Sequence, residues 1–105
     1  MTSSKVDALK AMIERDPENP LGRFGLANEY YKEGMYEEAV EAIHEYLKVK
    51  DDEGAVYRML AECHMNLGNP ELAREAYVKG IEAANRFGHP GMAEEFEESL
   101  EFLDD

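Results

Sequence analysis

Three histidines (His44, His64 and His89), a single cysteine (Cys63) and 24 acidic residues are the groups in this chain that suit metal binding, nucleophilic attack or proton transfer. Their spacing argues against all three. Cys63 and His64 are adjacent on a helical pattern, so their side chains diverge by about 100° and do not clamp one ion together. His64 falls on an apolar stripe and reads as a core histidine. Cys63 has no cationic neighbour to draw out a thiolate and reads as a small apolar filler. The carboxylates are abundant but not gathered; a general acid or base needs a shaped, partly dry site to move its pKa. No phosphate loop, dinucleotide fingerprint or nucleophile elbow is present. The chain is therefore expected to have no catalytic residues, no metal site and no cofactor.

The charge balance narrows the partners. Eleven basic against 24 acidic residues leave a net charge of −13 in 105 residues. Such a surface repels phosphate backbones and anionic lipid, so neither nucleic acid nor membrane is an expected partner. A basic segment would be attracted, most strongly at low salt. A lone cysteine precludes an internal disulfide and agrees with a reducing compartment. No signal-peptide pattern and no stretch of about 20 apolar residues appears, which together give a cytoplasmic expectation.

Positioning falls to helices alone. Tyr36, Ala39, Val40, Ile43, Tyr46 and Leu47 recur at the three- and four-residue steps of one helical stripe. Similar stripes read Leu26, Ala27, Tyr30, Tyr31, then Tyr57, Leu60, Ala61, His64, Leu67, then Leu72, Ala73, Ala76, Tyr77, Ile81, Ala84. Gly34 and Gly68 stand where a helix closes in left-handed backbone. Asn19-Pro20 and Asn69-Pro70 pair a capping residue with a proline suited to the first helical position. Asp16-Pro17 and His89-Pro90-Gly91 break the chain. Six helices are predicted, over 3–15, 20–33, 36–49, 53–67, 70–87 and 92–103, joined by short turns that make neighbours antiparallel.

The pattern repeats at an offset of 34 residues: Leu26 returns as Leu60, Ala27 as Ala61, Gly34 as Gly68, Ala39 as Ala73 and Ile43 as Tyr77. Leu9 and Ile13 carry the register back by one more step. The string from Leu26 to Ala39 resembles the heart of a tetratricopeptide repeat, and Tyr57, Leu60, Ala61, His64, Gly68 and Ala73 form a second copy. The resemblance implies an all-α fold, a right-handed superhelical array of antiparallel helix pairs. It implies one domain over 1–105: a half-repeat helix at 3–16, repeats at 20–52 and 54–87, and a capping helix at 91–103. Arg23, His64, Tyr46, Asp51 and Asn85 depart from the family pattern. In the capping helix Met92, Phe96, Leu100 and Leu103 are expected to face inward, with Glu94, Glu95, Glu97, Glu98 and Glu101 in solvent.

The resemblance also implies where a partner lies: on the concave face, along the first helix of each pair. The candidate peptide-binding residues are Leu21, Phe24, Asn28, Tyr31 and Lys32 from the first pair and Arg58, Met59, Glu62 and Met65 from the second. Aromatic and methionine side chains suit a contact surface, Asn28 suits a peptide backbone, and Lys32 and Arg58 suit a carboxylate. Some family members clamp the acidic tails of heat-shock chaperones. Here Asn28 alone matches that clamp, Phe24 and Met59 stand at two of its other positions, and a third clamp-bearing repeat is missing. The expected function is thus a protein–protein interaction module for another kind of segment, with a homo-oligomeric scaffold as the alternative and an enzyme or metal protein as the least favoured.

Overall fold

The computed structural model describes residues 4–104. They form six helices: α1 (Ser4–Arg15), α2 (Pro20–Lys32), α3 (Tyr36–Val49), α4 (Ala55–Asn66), α5 (Pro70–Arg86) and α6 (Pro90–Asp104). No strand occurs among the described residues. The predicted start of the first helix at Ser3 lies outside them. The chain divides between Asp51 and Asp52 into two compact units, one built from α1–α3 and the other from α4–α6.

One turn is used three times. α2 and α3, α4 and α5, and α5 and α6 are each joined by three residues with glycine in the middle. Gly34, Gly68 and Gly88 have φ of 76°, 76° and 77°, a region that costs residues with a Cβ energy. Behind each glycine the next amide reaches back five residues: Met35 N to Tyr30 O at 2.9 Å, Asn69 N to His64 O at 2.8 Å and His89 N to Ala84 O at 2.7 Å. This closure satisfies carbonyls that the helix end would leave bare. It also reverses the chain, so each pair packs as an antiparallel hairpin.

Helix starts are less uniform. Asn19 accepts a hydrogen bond from Leu21 N at 3.0 Å and caps α2, whereas Asn69 caps α5 without a side-chain bond. Two predicted starts move by two residues, while the ends of α2, α4, α5 and α6 each shift by one. The helix expected from residue 53 begins at Ala55, because the carboxylate of Asp52 accepts from Gly54 N at 2.9 Å and Val56 N at 3.0 Å and holds Gly54 at φ 134°. The helix expected from residue 92 begins at Pro90, because proline lacks only an N–H that the first turn leaves unpaired anyway.

In the first unit α2 packs on both α1 and α3. Ala27, Ala39 and Ile43 are fully buried there, as is Val6 of α1, which stands 34 residues before Val40. In the second unit α5 packs on both α4 and α6, around Val56, Ala61, Cys63, Ala73, Ala84 and Phe96. Phe96 lies in the cleft as expected, with Met92, Leu100 and Leu103 half-buried beside it. Leu72 does not join its stripe. It is 44% exposed, because its place in the first turn of α5 points away from α4 and α6.

The two units solve one packing problem differently. Tyr46 and Gly80 occupy the same register, 34 residues apart. In the first unit Tyr46 is buried and its ring meets Phe24 at 5.5 Å between centroids. In the second, a Cβ on Gly80 would lie 2.7 Å from Phe96, so the absent side chain is what admits the α6 phenylalanine. Phe96 then contacts Tyr77 at 5.7 Å between centroids.

Candidate functional site

α2 carries five of the nine candidate residues. Leu21 is 73% exposed at its first turn. Phe24 is at the edge of exposure, and one side of its ring is occupied by Tyr46. Tyr31 is half-buried and meets the Tyr36 ring edge-on at 6.2 Å. Asn28 and Lys32, one turn apart, open into a groove of about 340 Å³ between α1 and α2 whose other walls include Lys5, Leu9, Met12 and Glu29. The Asn28 side chain is half-buried and its amide has no hydrogen-bond partner among the described residues. Gly25 forms part of this floor, where only the tip of Leu9 stands close.

The cations at this groove are not bare. Glu29 reaches both ammonium groups, its Oε2 lying 3.9 Å from Lys5 Nζ and 3.8 Å from Lys32 Nζ. These are long, partly solvated contacts, of the kind worth at most about 1 kcal/mol. Glu29 itself is only 13% exposed, whereas both lysines reach solvent.

The α4 candidates are arranged differently. Arg58 donates to Glu95 Oε2 at 2.8 Å, and its guanidinium carbon sits 5.2 Å from the centre of the Phe96 ring. The last helix thus engages Arg58 without covering it, and the acidic face expected to stand wholly in solvent contributes one carboxylate to the pair. Met59 and Glu62 are half-buried, while Met65 is 43% exposed. Sequence spacing gave no sign of the Arg58–Glu95 pair, since 37 residues separate the partners.

The groups considered for chemistry are dispersed. Cys63 is fully buried in the second unit, and burial pushes its thiol up to about 11, with the nearby Glu62 carboxylate adding to the effect. His64 is 8% exposed, on the inner face of α4. His89 lies at the α6 start, its Nε2 3.3 Å from Glu53 Oε2, and His44 is exposed on α3. No three His, Cys, Asp or Glu side chains converge on one point among the described residues. No helix among them is long and apolar enough to cross a membrane.

Known proteins resemble this chain in sequence or in fold. TPR repeat-containing protein PA0015 of Pseudomonas aeruginosa is 26% identical over 99 residues, covering 94% of each chain. PcrH, in its crystal structure with the chaperone binding region of PopD, matches with a TM-score of 0.85 at 21% identity, over 94% of this chain and 75% of that one. The solution structure of BPP2914 from Bordetella parapertussis matches with a TM-score of 0.80 at 23% identity, over 99% of this chain and 90% of that one. Both structural likenesses support an all-α helical repeat fold. The tetratricopeptide repeat profile matches residues 6–60 and again 31–87, spanning both copies of the 34-residue pattern and their glycine turns. With its paired helices, its small residues at the crossings and its repeated closing glycines, the chain belongs to the tetratricopeptide repeat family.

Proposed function

We infer that the chain is a non-catalytic interaction module that binds a segment of another polypeptide along the first helix of each pair. The candidate contacts are Leu21, Phe24, Asn28, Tyr31 and Lys32 on α2, and Arg58, Met59, Glu62 and Met65 on α4, the side the family resemblance assigns to the concave face. The observation that carries this reading is the Asn28 amide, half-buried in the α1–α2 groove with no hydrogen-bond partner of its own among the described residues. A side-chain amide offers a donor and an acceptor together, which matches one peptide unit of an extended segment. Leu9 and Met12 supply apolar contact beside it, and Lys5 and Lys32 supply charge for a carboxylate. That PcrH was crystallised with the chaperone binding region of PopD supports a polypeptide ligand for a fold of this kind.

Arg58 refines the reading. Its pair with Glu95 is exposed on both sides, 37% and 56%, so exchange for a partner's carboxylate is inexpensive. Peptides selected by display against the whole chain test the proposal. Asn28→Ala and Lys32→Ala should each weaken the selected peptides by about fivefold to tenfold, as expected for one lost hydrogen bond or charge contact. Affinities unchanged within about twofold in both variants and in Arg58→Ala would remove this face from consideration.

A further inference from the structure

The first unit carries a second and larger concavity, about 550 Å³, on the flank of α3. Its floor is apolar: Ile13 of α1, Leu26 and Tyr30 of α2, and Ala42 of α3. It shares no lining residue with the Asn28 groove. Glu38, Glu41, Ala42 and Glu45 follow one another at three-, one- and three-residue steps, so they form a single stripe on α3. Ala42, 8% exposed, belongs to the Ala39–Ala42–Ile43–Tyr46 face that the unit buries, and the three glutamates lie along its edge.

Glutamates outnumber the other charged groups at the rim of this groove, which Arg23 and His44 also line. Glu38, Glu41 and Glu45 are exposed along it. Glu45 is paired with Lys48 at 3.0 Å, but Glu38 and Glu41 have no ion-pair partner among the described residues. The one guanidinium at the rim, Arg23, is drawn aside, donating from Nε to Pro17 O at 3.1 Å. An apolar floor beside unmatched carboxylates complements an amphipathic segment with a large apolar side chain and flanking Lys or Arg. A second copy is a poor occupant. The chain has a net charge of −13, and its most exposed aromatic, Phe102 at 85%, sits among Glu98, Glu101 and Asp104. Seating it would press carboxylates on carboxylates.

We propose that the α3-flank groove docks a basic amphipathic segment of a partner polypeptide, its apolar side chain on the Ile13–Leu26–Ala42 floor and its cations against Glu38 and Glu41. This site is separate from the Asn28 face and can succeed or fail independently of it.

The test uses the full chain and two fluorescein-labelled synthetic helical peptides. Both carry leucines at three- and four-residue steps; one is filled with lysine, the other with glutamate. The lysine peptide should bind, more weakly as salt rises, and the glutamate peptide should not. Glu38→Lys/Glu41→Lys, at exposed positions, should weaken the lysine peptide about tenfold or more. Ala42→Leu fills the floor without altering the rim and should weaken it to a similar degree, with the helical circular dichroism of both variants unchanged. Asn28→Ala/Lys32→Ala should leave this affinity alone. Equal binding by the charge-reversed variant, equal binding of the glutamate peptide, loss confined to the Asn28→Ala/Lys32→Ala variant, or a homodimer seated through Ala42 would each overturn the proposal.

Discussion

Alanine at Gly80 adds a single methyl group where the second unit is most crowded. In an ordinary helix interior the exchange is favourable by about 0.5–1 kcal/mol, because glycine loses more backbone freedom on folding. Here the new Cβ would lie 2.7 Å and 2.8 Å from the Phe96 ring and 3.0 Å from Tyr57 Cβ. The ring is fully buried and held by Tyr77 and Arg58, and a Cβ moves only with its backbone. Overpacking of this kind costs about 1–3 kcal/mol, so the net expectation is a loss of about 1 kcal/mol. Gly25→Ala provides the control. Its Cβ would also come within 2.8 Å of another atom, but that atom is the terminal Cδ2 of a half-buried Leu9, free to turn into the adjoining groove. It should be neutral or stabilising by up to about 0.5 kcal/mol. Urea unfolding followed by helical circular dichroism measures both. A Gly80→Ala protein as stable as the parent, or a Gly25→Ala protein equally damaged, would refute the claim that Phe96 requires the missing side chain.

Other substitutions probe separate parts of the structure. Asp52→Ala removes the acceptor for two amides at the α4 start and should cost about 1–2 kcal/mol, seen as a lower urea midpoint; an unchanged midpoint would show that the cap contributes nothing. Phe96→Ala should cost about 3–5 kcal/mol and raise hydrogen exchange in α6 before α4, whereas uniform exchange would contradict α6 resting chiefly on that ring. The Cys63 thiol, held up to about 11, should react slowly with a disulfide reagent at neutral pH and quickly in urea; rapid native labelling would rule out its burial. A folded pKa above the unfolded value favours the folded state below about pH 9, and this contribution is lost as pH rises towards 11, so Cys63→Ala should flatten any fall in stability across that window.

Much of this protein could be read from its sequence, because helical periodicity and glycine closure are local. Ala27, Ala61, Ala39 and Ala73 are each fully buried, and Gly34 and Gly68 share one left-handed φ, as the 34-residue repeat requires. Exposure of Leu21 and Met65 likewise follows from their angular position beside the packed stripe. Gly88 closes a third turn of the same kind, and its signal, a glycine ending an apolar helical pattern, was present beside the more conspicuous His89-Pro90-Gly91.

Other features depend on residues that meet only after the helices pack. Arg58 is occupied by Glu95 and Phe96, from a helix whose first residue lies beyond position 89. Asn28 and Lys32 acquire a shared groove from residues of α1, and Glu38 and Glu41 acquire apolar neighbours in Ile13 of α1 and Leu26 of α2. Periodicity assigns a side chain to a face of its own helix. What fills the space opposite that face is settled by packing between distant segments, so the helices were written in the chain and the occupancy of their polar groups was not.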